Sequence, residues 1–144
     1  MLETCQTILM KGTPEQIASD WIAYTQLDPS KAQDDIHERG WIIYDASYDQ
    51  PTIAWEAIKA VVSRYSEDEL FTERETEAKR ILANTAAGPL ENLLAEHGAD
   101  FIESVELEAR RDRRMLWTVG CVWQNSMSDD VWARVQRAAG GISR

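Results

Sequence analysis

The sequence predicts an all-α fold: one domain of about seven or eight short helices in antiparallel pairs, stacked in the manner of helical repeats. Three observations carry this. Apolar residues recur three or four apart along most of the chain, proline and glycine interrupt them at short intervals, and no stretch alternates with period two. The 144 residues suit a single domain over 1–144, with frayed ends at 1–12 and 139–144. Helix-break-helix units recur about every 20 to 25 residues, the rhythm of helix pairs, without self-similarity at a fixed period.

Thr13-Pro14-Glu15-Gln16 opens the first helix, with Thr13 as cap, Pro14 at the first helical position and Gln16 completing a capping box. Ile17, Trp21, Tyr24 and Leu27 then share one face, and Asp28-Pro29 stops it. A second helix runs from near Ser30 to about Tyr48, with Ile36, Ile43 and Tyr44 inward and Gly40 as a weak point. Trp41-Ile42-Ile43-Tyr44 would suit a strand in isolation, but no partner strand is present. After the breaker Asp49-Gln50-Pro51, Ile53, Ala54, Ala57, Ile58, Val61 and Val62 form a helical stripe.

Two capping boxes follow, Ser66…Glu69 and Thr72…Glu75, the second opening a helix that buries Ala78, Ile81 and Leu82. Gly88-Pro89 breaks and restarts the chain, and Leu90, Leu93 and Leu94 form a short helix closed by Gly98. A further helix over 100–110 turns Phe101, Ile102, Val105 and Ala109 inward, and a basic turn leads to Met115, Leu116, Val119, Val122 and Trp123. Ser128 caps the last helix, through about Ala138, with Asp129 and Asp130 in its first turn. Trp117, Trp123 and Trp132 read as core anchors because each lies among aliphatic residues at helical spacing.

Composition narrows the function. The longest apolar runs are only a few residues, which excludes a membrane-spanning helix, and no secretory start is visible. Cys5 and Cys121 then read as reduced thiols, and the expected compartment is the cytoplasm. The net charge of −10 is uneven: residues 1–100 hold 19 acids and 8 bases, whereas 101–144 hold 6 acids and 7 bases. An acidic body repels nucleic acid and favours cationic partners.

The second half carries a distinctive set of residues: Gly88-Pro89-Leu90-Glu91, His97-Gly98, Phe101-Ile102, Val105-Glu106, Arg110, Asp112-Arg113, Gly120, Val122-Trp123 and 130–135. Pro51, Ala54-Trp55 and Ile58 fit the same pattern upstream. Over roughly residues 50–135 the chain resembles an uncharacterised family of small helical bacterial proteins, a domain of unknown function. The resemblance implies a helical fold and no particular activity. The first 48 residues match it poorly, which leaves room there for partner-specific features.

No catalytic, cofactor or metal set emerges. Asp34, Asp35, His37 and Glu38 gather ligand types within a helical turn but meet no established spacing. His97, beside Gly98, suits a helix end, where an imidazole bonds exposed carbonyls. Cys121 lies between Gly120 and Val122 on what reads as an apolar helix, where a thiol stays protonated. Glu91, Glu103 and Glu106 supply the residue types of an acid–base pair, as many helices do. Arg110, Arg111, Arg113 and Arg114 follow a helix end and are explained by its dipole and by salt bridges. Glu69, Glu73 and Glu77 recur at i, i+4 and i+8, which on a continuous helix makes one negative ridge.

The expected function is therefore a non-enzymatic, acidic protein-interaction module, in its sharpest form one that neutralises a toxin. Its predicted partner is a protein with a basic surface, not nucleic acid or membrane, met by Glu69, Glu73, Glu77, Asp34, Asp35 and Glu38. The alternatives are a small hydrolase or metal-dependent enzyme using His37 or His97, and a homo-oligomeric scaffold.

Overall fold

The computed structural model describes residues 12–27 and 34–140, and every regular element among them is helical. The expected stop at Asp28-Pro29, the start near Ser30 and most of the two expected frayed ends lie outside the described residues. Helix α1 (Pro14–Gln26) begins as its cap predicts: the Thr13 hydroxyl accepts from the Gln16 N–H at 3.1 Å. The reciprocal half of the box is missing, because the Gln16 amide donates to Asp20 at 3.1 Å. Helices α2 (Asp34–Gly40) and α3 (Ile42–Asp49) divide the expected second helix at Trp41. The backbone carries on through the division, with the Trp41 N–H on the His37 carbonyl and the Asp45 N–H on the Trp41 carbonyl, which settles the strand ambiguity.

Helix α4 (Pro51–Val62) is the centre of the fold. It buries Ala54, Trp55, Ala57, Ile58, Val61 and Val62, and it packs against α1 and α3 as well as the later helices. Ile58, Val61 and Val62 each contribute about 1.5–3 kcal/mol there through loss of apolar surface from water. Helix α5 (Glu67–Leu70) is one turn, opened by a complete Ser66…Glu69 capping box. Helix α6 (Glu77–Thr85) starts later than expected. Thr76, not Thr72, is its cap, accepting from the Lys79 N–H at 3.2 Å.

The Gly88-Pro89 break does not stop the helix. A π-helical turn (Ala86–Leu90) leads directly into α7 (Glu91–Arg111). The expected helix end at Gly98 appears as a kink: His97, with φ −133° and ψ 26°, is non-helical, and α7 is two helical segments meeting there. The space is what Gly98 provides, because a Cβ there would lie 2.9 Å from a methyl of Val131 on the last helix. Helix α8 (Arg113–Val119) is capped by Asp112, and α9 (Asp129–Ala138) by Ser128, whose hydroxyl accepts from the Val131 N–H at 3.2 Å. Trp117 and Trp132 pack against the core, but Trp123 is half exposed on the loop between α8 and α9. Val122 is buried in that loop, and Trp123 beside it turns outward.

The arginine cluster is consumed by structure. Arg111 pairs with Glu108 at 2.8 Å, and Arg113 pairs with Glu67 at 3.1 Å while lying over the Phe71 ring. Arg114 clasps Asp112 and donates to the Tyr65 carbonyl at 2.9 Å, tying α8 to the chain leaving α4. Arg134 joins α9 to α7 by two hydrogen bonds to the Glu106 carboxylate, at 2.9 and 2.5 Å. Those bonds hold the Glu106 carboxyl below the usual glutamate range. For Asp112 burial opposes ionisation, and the Arg114 hydrogen bonds outweigh it, so its carboxyl is also lowered.

A carboxyl lowered by folding stabilises the native state above its unfolded pKa, and that contribution disappears as pH falls through the folded pKa. Melting temperature is therefore expected to fall with acidification below about pH 4. Arg134→Met should flatten part of this acid limb; an unchanged pH profile would show that the Glu106 pair contributes nothing.

Candidate functional site

A concavity lies where α1, α2, α3 and the π turn meet. His37, Trp41, Tyr44 and Tyr48 are spaced 4, 3 and 4 apart, so a helical path through α2 and α3 stacks them along one face. Trp21 and Tyr24 meet them from α1. The rings form an unbroken chain: Trp21 to Tyr24 at 6.1 Å between centroids, Tyr24 edge-on to His37 at 5.3 Å, and His37 stacked on Trp41 at 5.6 Å. Trp41 then meets Tyr44 at 4.7 Å, and Tyr44 meets Tyr48 at 6.4 Å. Such pairs contribute about 0.5–1.5 kcal/mol each beyond their buried area.

Hydrogen bonds hold these walls in place. The Trp21 indole N–H donates to the Thr85 hydroxyl at 3.0 Å, and Thr85 in turn donates to the Ile81 carbonyl at 2.7 Å. The Trp41 indole N–H donates to the Tyr24 hydroxyl at 3.1 Å. Between the walls is a pocket of about 640 Å³, lined by Trp21, Tyr24, His37, Tyr44, Asn84 and Gly88 among others. A Cβ on Gly88 would stand 3.3 Å from Tyr44 Cε2 and 3.7 Å from Trp21 Cη2, so this glycine keeps the floor open.

A second concavity of about 580 Å³ shares His37 and surrounds Trp41, with Glu38, Arg39 and Asp45 lining it; Glu38 and Asp45 are its carboxylates. Neither carboxylate is in an ion pair among the described residues. Asp35 faces Arg39 at 3.7 Å with both side chains largely exposed, a geometry worth little energetically. The expected acidic residues Asp34, Asp35 and Glu38 all belong to α2, and of the three Glu38 lines this concavity.

The negative ridge is corrected. Glu69, Glu73 and Glu77 do not lie on one helix, because the chain leaves helical geometry at Phe71 and re-enters it at Glu77. The Thr76 hydroxyl donates to the Glu69 carbonyl at 2.8 Å while capping α6, and Lys79 donates to the Thr72 carbonyl at 2.6 Å. Glu69 turns back to accept from the Ser66 N–H at 2.9 Å, and Glu77 accepts from the Gln26 amide at 2.7 Å. Glu73 sits exposed in the intervening bend. Side-chain bonding within 66–79 outcompetes the i, i+4 spacing.

His97 plays the carbonyl-binding role expected of it, on another helix: its Nε2 lies 2.7 Å from the Tyr48 carbonyl at the end of α3. Cys121 is buried in the turn after α8, not on a helix. Glu91, Glu103 and Glu106 form no common site. Glu91 is buried and accepts from the Trp123 N–H and the Asn125 amide, Glu106 binds Arg134, and Glu103 is exposed. No cluster of three or more metal-binding side chains occurs among the described residues, and no helix there is long and apolar enough to cross a membrane.

Residues 29–142 match a family of unknown function, DUF6869. The chain belongs to DUF6869. No curated protein and no solved structure matches it. The DUF6869 match is wider than the resemblance over 50–135, and it takes in α2 and α3 with the whole His37–Tyr48 stripe. Trp21 and Tyr24, on α1, precede the DUF6869 span, so the pocket joins one wall inside that span to one outside it. The stripe was visible in the sequence as four aromatic residues at helical spacing; its meeting with Trp21 and Asn84 was not.

Proposed function

We propose that this protein is a non-enzymatic binding protein that docks a basic protein partner on the α2–α3 face, in a bacterial cytoplasm. The observation that carries the reading is the concavity around Trp41, where Glu38 and Asp45 line its wall and form no ion pair among the described residues, while Arg39, the cation there, is turned to Asp35. An aromatic anchor beside uncompensated carboxylates suits arginine or lysine on a partner, through ion pairing and contact with the ring face. The excess of acids over residues 1–100 supports steering of a cationic protein and disfavours nucleic acid. Neutralisation of a basic toxin is the sharpest form of the proposal.

Affinity capture from the source cell tests it, comparing the native chain with Glu38→Lys/Asp45→Lys and with Glu73→Lys. The first variant is expected to lose a salt-sensitive basic partner by about tenfold or more, as removal of close charge pairs does. Glu73→Lys should retain it. Equal capture by all three, or capture indifferent to salt, would overturn the assignment of the face.

A further inference from the structure

We infer that the pocket between Trp21, Tyr24, His37 and Tyr44 is a binding site for a small, flat, uncharged nitrogen heterocycle. Its volume of about 640 Å³ lies within the range of small-molecule pockets, about 300–1,000 Å³. The walls are aromatic and pre-organised, since the Trp21 and Tyr24 rings are each held by a hydrogen bond outside the cavity. A flat ring gains most from such walls, and stacking of a heterocycle on an aromatic side chain contributes about 1–3 kcal/mol in comparable settings.

Two further features separate a built site from a packing gap. The floor passes through a π-helical turn, a geometry that recurs at functional sites, and its Gly88 is the residue that leaves the space between Tyr44 and Trp21 empty. The Asn84 side-chain amide, on the pocket wall, makes no hydrogen bond with the described residues. It presents a donor and an acceptor side by side, the pair that recognises the edge of a purine or a carboxamide-bearing pyridine. Tyr44 adds a hydroxyl that burial keeps protonated.

The lining disfavours anionic ligands. Among the described residues no Lys, Arg, Asp or Glu lines the pocket, so only the His37 imidazole stands near a bound phosphate or carboxylate, and the net charge of −10 adds repulsion. A heterocycle without an anionic group remains.

Calorimetric titration of the whole protein with adenosine and with nicotinamide tests this, with adenosine monophosphate as the charged comparison. At least one uncharged probe is expected to bind saturably with Kd below about 1 mM. Asn84→Ala, at an exposed position, should weaken that binding about fivefold, the equivalent of one hydrogen bond. Gly88→Val, checked for folding by its thermal melt, should abolish it, and the monophosphate should bind about tenfold more weakly than adenosine. No saturable heat from either uncharged probe, binding untouched by both substitutions, or a monophosphate that binds as well as adenosine would each overturn the inference. The titration involves no protein partner, so its outcome is independent of the docking face around Trp41.

Discussion

Gly40→Ala is expected to destabilise the protein by about 3 kcal/mol, at the upper end of overpacking costs, and to lower its melting temperature by roughly 10 °C. Two effects oppose each other at this position. Within a helix, alanine is favoured over glycine by about 1 kcal/mol, and Gly40 is the last residue of α2. Against that, a Cβ on Gly40 would fall 2.3 Å from Tyr24 Cβ and 2.5 Å from Tyr24 Cγ. These atoms sit at the base of the side chain, so no rotamer change relieves the clash, and α1 and α2 must separate. Sterics therefore win over propensity. The same separation displaces Tyr24 from His37, so the ring chain should loosen and the near-ultraviolet circular dichroism of the aromatics should weaken. A melting temperature that rises on Gly40→Ala would show that the two helices do not approach this closely.

Glu91→Ala should cost about 2–3 kcal/mol, the penalty for leaving buried donors without an acceptor. Glu91 is only 6% exposed. One carboxylate oxygen accepts from the Trp123 backbone N–H at 3.1 Å and the other from the Asn125 amide at 3.2 Å. Asn125 holds φ at 46°, a left-handed conformation that a non-glycine residue keeps when its side chain is tied down. Glu91 therefore fastens the loop that carries Trp123 to the start of α7. Glu91→Gln retains one acceptor oxygen and should lose about half as much. Denaturant unfolding gives the stability, and amide exchange at Trp123 should accelerate in proportion. Unchanged exchange in Glu91→Ala would mean the loop is held by its apolar residues, Val122 and Met127, alone.

Local chemistry was the legible part. Thr13, Ser66 and Ser128 each cap the helix their sequence context announces, since a cap depends only on residues two or three positions away. The stripe from Ala54 to Val62 reads directly as the buried face of α4 for the same reason. The arginines after α7 are explained by helix ends and carboxylates, although which carbonyls Arg114 reaches depends on where α4 ends in space. The illegible part begins where two local signals compete. Thr72 and Thr76 both resemble caps, and contacts with Glu69 and Lys79 select Thr76, which dissolves the ridge of Glu69, Glu73 and Glu77.

Glycines show the same division. Gly88 carries the composition of a breaker, yet the helical path continues through it as a π turn, whereas beside Gly98 the path does break into a kink; their missing side chains leave room for Trp21 with Tyr44 in one case and Val131 in the other. By itself the sequence determined the all-helical class, most helix starts and the acidic character, all properties of neighbours along the chain. The tertiary structure decided the pocket, since the Trp21 to Thr85 bond spans 64 positions and no local rule predicts which distant surfaces meet. That choice belongs to shape complementarity between helices, and a single absent Cβ is enough to decide it.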